Sequence, residues 1–104
     1  MSAEPKRAIV LRHADADRQD IERLTQRHRL HVVYTAVTDT AVPRLAVMIA
    51  VEHVLDHRAQ VVVVPHLTAK DAWADREWRA LAELVDIIGA DGVILDGDAG
   101  VTHP

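Results

Sequence analysis

Apolar positions along the chain fall into short unbroken runs and longer stretches with helical spacing, and the two kinds of segment alternate. Residues 8–12, AIVLR, are an unbroken aliphatic run ending on a cation, the pattern of a strand buried on both faces. Asp15 or Asp17 can then cap a helix reaching about Arg29, with Ile21, Leu24 and His28 on one side and Arg18, Glu22, Arg23 and Arg27 on the other. Residues 31–37, HVVYTAV, read as a second strand. A polar turn, Thr38-Asp39-Thr40, precedes Pro43, which fits the first turn of a helix running from about Arg44 to His57. Residues 61–65, VVVVP, form a third strand closed by its proline.

A loop through Thr68 and Asp71 leads to a predicted third helix over 74–88. Trp78, Leu81, Leu84, Val85 and Ile88 face inward on it, and Asp75, Arg76, Arg79, Glu83 and Asp86 outward. Gly89 is placed to cap that helix, and residues 92–95, GVIL, make a fourth strand. Regular strand–helix alternation with short links implies parallel strands joined by right-handed crossovers. The expected fold class is α/β, a three-layer α/β/α domain over residues 1–104 with a four-stranded, mostly parallel sheet. Residues 1–6 and 97–104 are expected to be flexible tails.

The second predicted helix departs from ordinary amphipathicity. Leu45, Val47, Met48, Ile49, Val51, Val54 and Leu55 cover most of its circumference, and only a strip through Ala46, Ala50, His53 and His57 is weakly polar. Such a helix is buried on two sides, within the domain or against another chain.

Composition narrows the function classes. The chain has no Cys and no Phe, and its aromatics are Tyr34, Trp73 and Trp78. Disulfides, thiolate catalysis and thiolate metal sites are therefore excluded. Net charge is −4 overall, but residues 1–31 carry seven Lys/Arg against five Asp/Glu while residues 59–104 carry three against eight. Only the first helix could offer a basic face, so non-specific DNA binding by the isolated chain is not expected. The polar start, Met1 to Arg7, and the lack of a membrane-length apolar run predict a soluble, cytoplasmic chain with no membrane association.

The loops after the strands carry a more specific pattern. Val10-Leu11-Arg12-His13-Ala14 ends the first strand, Asp39 and Pro43-Arg44-Leu45 follow the second, and Pro65-His66-Leu67-Thr68-Ala69 follows the third. In this the sequence resembles the catalytic domain of the resolvase/invertase family of serine recombinases, over about residues 7–96. The resemblance implies a resolvase-like or flavodoxin-like topology. The family's first strand ends Tyr-x-Arg-Val-Ser, the Ser attacking a DNA phosphate; here Arg12 matches and the nucleophile position is Ala14. The family's Asp and Arg-Pro-like helix start match Asp39 and Pro43-Arg44-Leu45. Its Asp-Arg-Leu-x-Arg segment keeps Leu67 and neither arginine. Phosphoryl transfer through a phosphoserine needs an activated hydroxyl and clustered cations. With the hydroxyl and two of four arginines missing, and without the long dimerisation helix and DNA-reading domain of the family, the resemblance implies a catalytically inactive relative.

Several constellations carry candidate chemistry. Arg12, His13, Arg44 and His66 would meet at the carboxyl ends of adjacent strands, where open α/β sheets bind ligands, and could form a relic anion pocket. Alternatively, Arg12 and Arg44 pair with Asp15 or Asp39 and stabilise the loops. His53 and His57 share a helix face but lack a third metal ligand, and Asp91, Asp96 and Asp98 near Gly92, Gly97 and Gly100 lack the bidentate Glu of a calcium loop. Asp15, Asp17 and Asp20 could hold Mg²⁺ or simply cap a helix. No metal and no cofactor is expected. Val47, Val51, Val54 and Trp73 are interface candidates.

The function expected is a protein-interaction or regulatory module, self-associating as a homodimer or bound to a protein partner. One alternative is a small enzyme or ligand-binding domain with an anion or phosphate pocket. Another is an accessory regulator reaching DNA only weakly or through a partner.

Overall fold

The computed structural model describes residues 4–95, so the expected tail 97–104 and Asp96, Gly97, Asp98 and Gly100 lie outside the described residues. The elements are β1 (Lys6–Arg12), α1 (Arg18–Arg27), β2 (Leu30–Val37), α2 (Pro43–His57), β3 (Val61–Val63), α3 (Ala69–Ala74), α4 (Arg76–Ala82), β4 (Asp86–Gly89) and β5 (Gly92–Leu95). They build one five-stranded sheet in the order β2-β1-β3-β4-β5. The first three pairings are parallel, and β4–β5 is an antiparallel hairpin.

The aliphatic runs sit where their composition demands. Ala8, Ile9, Val10 and Leu11 of β1, and Val62, Val63 and Val64 in and just after β3, have no solvent exposure. A parallel strand with helices over both faces has no side on which a polar residue meets water, which is why these stretches do not alternate. Alternate side chains divide between two cores. Ile9, Leu11, Val62, Val64 and Ile87 pack beneath α2, α3 and α4. Ala8, Val10, Val61, Val63 and Ile88 pack with Leu24 of α1 on the other face. The result is a three-layer α/β arrangement.

Helix starts follow short polar side chains. Asp17 caps α1 by accepting the Gln19 N–H, Thr68 caps α3 by accepting from Asp71, and Asp75 caps α4 by accepting from Glu77. The start of α2 differs: Val42 offers no side-chain cap, and Pro43 occupies the first turn.

Two expectations are corrected. The predicted helix over 74–88 is instead the end of α3, the separate helix α4 and the strand β4, and the sheet gains a fifth strand. Backbone at Asp75 is extended (φ −113°, ψ 124°), so the helix breaks and restarts there. The spacing of Trp78, Leu81, Val85 and Ile88 mimics a helical stripe, but Val85, Ile87 and Ile88 are β-branched and fill the open slot beside β3, pairing Val62 with Ile87. Gly89 therefore ends a strand, and Leu84, expected inside, is 65% exposed.

The second correction concerns α2. Its sheet-facing side is the small-residue strip, with Ala46 and Ala50 buried beside Val47 and Val54. Small side chains let a helix axis approach the sheet closely, so the larger Leu45, Met48 and Leu55 are left outside. Val47 and Val54, expected as interface anchors, are core residues, and Val51 is half-buried against the same core.

The strand assignment of residues 86–89 generates a paired prediction. Ile87→Ala should cost about 2–5 kcal/mol of stability, whereas Leu84→Ala should stay within about 0.5 kcal/mol. Urea denaturation of both variants decides it; a loss for Leu84→Ala as large as or larger than that for Ile87→Ala would restore the continuous helix.

Candidate functional site

The connection β1–α1–β2 runs to one side of β1, and β2–α2–β3 crosses back to the other. The loops leaving β1 and β3, adjacent parallel strands, therefore diverge to opposite faces and leave a crevice at their carboxyl ends. Just past the buried runs at that point stand His13, directly after the half-buried Arg12, and His66, after Val64 and the half-buried Pro65.

These two rings meet. Their centroids are 3.6 Å apart with planes 20° from parallel, a face-to-face stack joining the two diverging loops. A cavity of about 200 Å³ opens beside them, lined also by Thr40, Ala41, Val42, Pro43, Ala46 and Trp78. Thr40 holds the shape of its mouth: its backbone N–H donates to Thr38 Oγ1 at 3.3 Å, and its own Oγ1 accepts the Val42 N–H at 3.2 Å. Trp78, only 3% exposed, closes the floor from α4.

Of the four residues expected to converge, the structure brings together two. The Arg12 guanidinium turns back on its own loop and donates to the carbonyls of His13 (3.1 Å), Ala14 (3.0 Å) and Ala16 (3.4 Å). This braces the β1–α1 loop through backbone oxygens, where a carboxylate partner was the expected alternative. Asp39 also acts on that loop, its Oδ1 accepting the Ala14 N–H at 3.0 Å. Arg44 is exposed in the first turn of α2 and does not line the cavity. No Lys, Arg, Asp or Glu is among the lining residues.

The other constellations resolve locally. Asp17 is a helix cap, and Asp20 pairs with Arg23 at 2.7 Å. Asp91 lies in the β4–β5 turn. His53 and His57 lie 6.1 Å apart, each stacked on Tyr34 of the edge strand β2, at 4.2 and 4.8 Å. Among the described residues no group of three or more His, Cys, Asp or Glu could hold a metal ion. Trp73 is 43% exposed on α3. The sequence reading missed the contributions of Thr40, Val42, Ala46 and Trp78 to the crevice. Thr40, Val42 and Ala46 stand at the start of the second crossover and Trp78 on α4 of the third, and only that placement could have signalled them.

The His13–His66 stack has an electrostatic consequence. Burial lowers the His66 pKa below its ordinary 6.5, and proximity to His13 lowers it further. Because the folded-state pKa lies below the unfolded value, the unfolded chain takes up this proton first as pH falls. The contribution of His66 to stability is therefore full above pH 6.5 and lost as pH drops through its folded pKa. NMR titration of the ring should give a midpoint below 6.5, and His13→Ala should move it upward. An unchanged midpoint in that variant would show that the two rings do not interact.

No helix among the described residues is long and apolar enough to cross a membrane. No protein-family model, no curated protein and no solved structure matches this chain.

Proposed function

We propose that the chain is a protein-interaction module that pairs with a second copy of itself across the outer face of α2, on a recombinase-like scaffold lacking the nucleophile. The observation that carries this reading is the inverted character of α2: its small residues are buried while Leu45, Met48 and Leu55 are 49%, 58% and 70% exposed. Val42, 50% exposed just ahead of the helix, extends the same apolar surface. Large aliphatic side chains grouped on one helix face mark an interaction site far more than scattered ones do.

A second copy fits this face better than an unrelated partner. Leu45, Met48, Glu52 and Leu55 stand at the spacing of a seven-residue seam, the pattern by which one helix packs on its like. Laid antiparallel about a two-fold axis, two such helices bring Leu45 of one level with Leu55 of the other. The end bearing Arg44 then adjoins the end bearing Asp56, and the helix dipoles oppose. Glu52 stands alone as a charge in the middle of the seam and weakens the association.

Two further observations support the recombinase-like part of the reading. The order β2-β1-β3-β4 follows the 2-1-3-4 arrangement of flavodoxin-like sheets. Ala14 is exposed at the loop position where the family would carry its serine, and a methyl group attacks no phosphate.

Sedimentation velocity over a concentration series tests the pairing. A dimer should form by high micromolar concentration, and the double variant Leu45→Glu/Leu55→Glu should be monomeric with an unchanged far-ultraviolet circular dichroism spectrum. Glu52→Leu should tighten self-association by about tenfold, the effect of burying one more aliphatic side chain net of ordering costs. A strict monomer at high micromolar concentration, or a dimer indifferent to all three substitutions, refutes the proposal.

A further inference from the structure

The crevice at the β1/β3 divergence has a chemistry different from that of a phosphate site, and it shares only Val42 with the apolar surface of α2. Its lining is His13, Thr40, Ala41, Val42, Pro43, Ala46, His66 and Trp78, without one formally charged side chain apart from the imidazoles. Arg12, the nearest guanidinium in sequence, is occupied by three backbone carbonyls. Partial burial and the neighbouring His13 lower the His66 pKa and so favour its neutral ring. A phosphate moved into such a place would lose its water and gain no cation.

What the crevice does offer is π surface and ring-edge hydrogen bonding. The stacked imidazoles supply aromatic surface, on which flat rings pack offset, and the Trp78 indole, 3% exposed, borders the same space. A neutral imidazole carries one N–H donor and one bare nitrogen acceptor. Thr40 Oγ1 accepts the Val42 N–H and still has its own proton to donate. A donor–acceptor edge beside an aromatic wall is the complement of a heteroaromatic ring with ring nitrogens and an exocyclic amine. The volume, about 200 Å³, falls below the roughly 300–1,000 Å³ of pockets that enclose drug-sized molecules. It therefore admits one or two fused rings, not a nucleotide.

We infer that this crevice is a binding site for a neutral planar heteroaromatic ring of the size of a nucleobase, seated against the His13–His66 pair and Trp78, with its polar edge on Thr40.

The test uses the full chain at pH 7.5 with adenine and inorganic phosphate as probes, following tryptophan indole N–H and histidine ring resonances by NMR. Adenine should shift Trp78, His13 and His66 saturably while leaving Trp73 unmoved, and phosphate should shift none of them. His66→Ala should weaken the adenine response by about tenfold, the usual size of one lost stacking contact, and Thr40→Val, which removes the hydroxyl donor together with the acceptor of the Val42 N–H, should weaken it as well. Both substitutions lie in loops outside the two cores, so the fold survives them. No saturable shift with adenine, a response confined to Trp73, or a response to phosphate in place of adenine would overturn the inference. So would adenine binding that is unchanged in both variants.

Discussion

The structure depends on two aliphatic runs placed side by side and sealed on both faces. Ala8 to Leu11 and Val62 to Val64 have no solvent exposure, and Val61 has 1%. At about 25 cal/mol per Å² of buried apolar surface, these side chains provide the main driving force for the fold. They also impose a prohibition, since a charge in either run would be stranded without water or partner. All polar chemistry is therefore expelled to the strand ends. On the carboxyl side it is further constrained because β1 and β3 are neighbours whose exits lead to opposite layers. The His13–His66 stack follows from that geometry: both are among the first polar residues after a sealed run.

The same constraint explains what was readable in advance. The aliphatic runs of β1 and β3 could be recognised because continuous aliphatic character has few other uses at that length, and β2 through its β-branched and aromatic residues, Val32, Val33, Tyr34, Thr35 and Val37. Asp17 and Pro43 fixed two helix starts through local chemistry that needs no tertiary context. Residues 84–89 lacked such a local marker. Trp78, Leu81, Val85 and Ile88 satisfy a helical stripe as well as any real helix does. What decided their conformation was the empty edge of β3, a long-range demand that periodicity does not carry. The Asp75 cap that splits α3 from α4 is visible as an aspartate, but nothing local distinguishes it from the other outward-facing charges of the segment.

The candidate site was legible to the same extent and for the same reason. Strand order fixes where strand ends converge, so His13 and His66 could be placed together once the sheet was recognised. The fate of Arg12 could not. A guanidinium at the last position of a strand can reach forward into a crevice or back to its own loop. Here three carbonyls of the loop, one of which also accepts the Ala16 N–H, hold the guanidinium back on its own segment. Arg44 was placed correctly in the first turn of α2, but its exposed side chain lies outside the cavity lining.

The two proposed surfaces meet at one point, the start of α2. Val42 lines the crevice and is also the first exposed residue of the apolar face that continues through Leu45, Met48 and Leu55. The helix is anchored there without a side-chain cap, by Pro43 and by the Leu45 and Ala46 N–H groups on the Val42 carbonyl at 3.1 Å each. A ring seated against His66 and Trp78 would stiffen that turn, and a second copy packed on Leu45 would press on it from outside. Binding at either place therefore has a physical route to the other through one turn of helix. Any coupling between them must be reciprocal, because the free energy that joins two sites is the same read from either end.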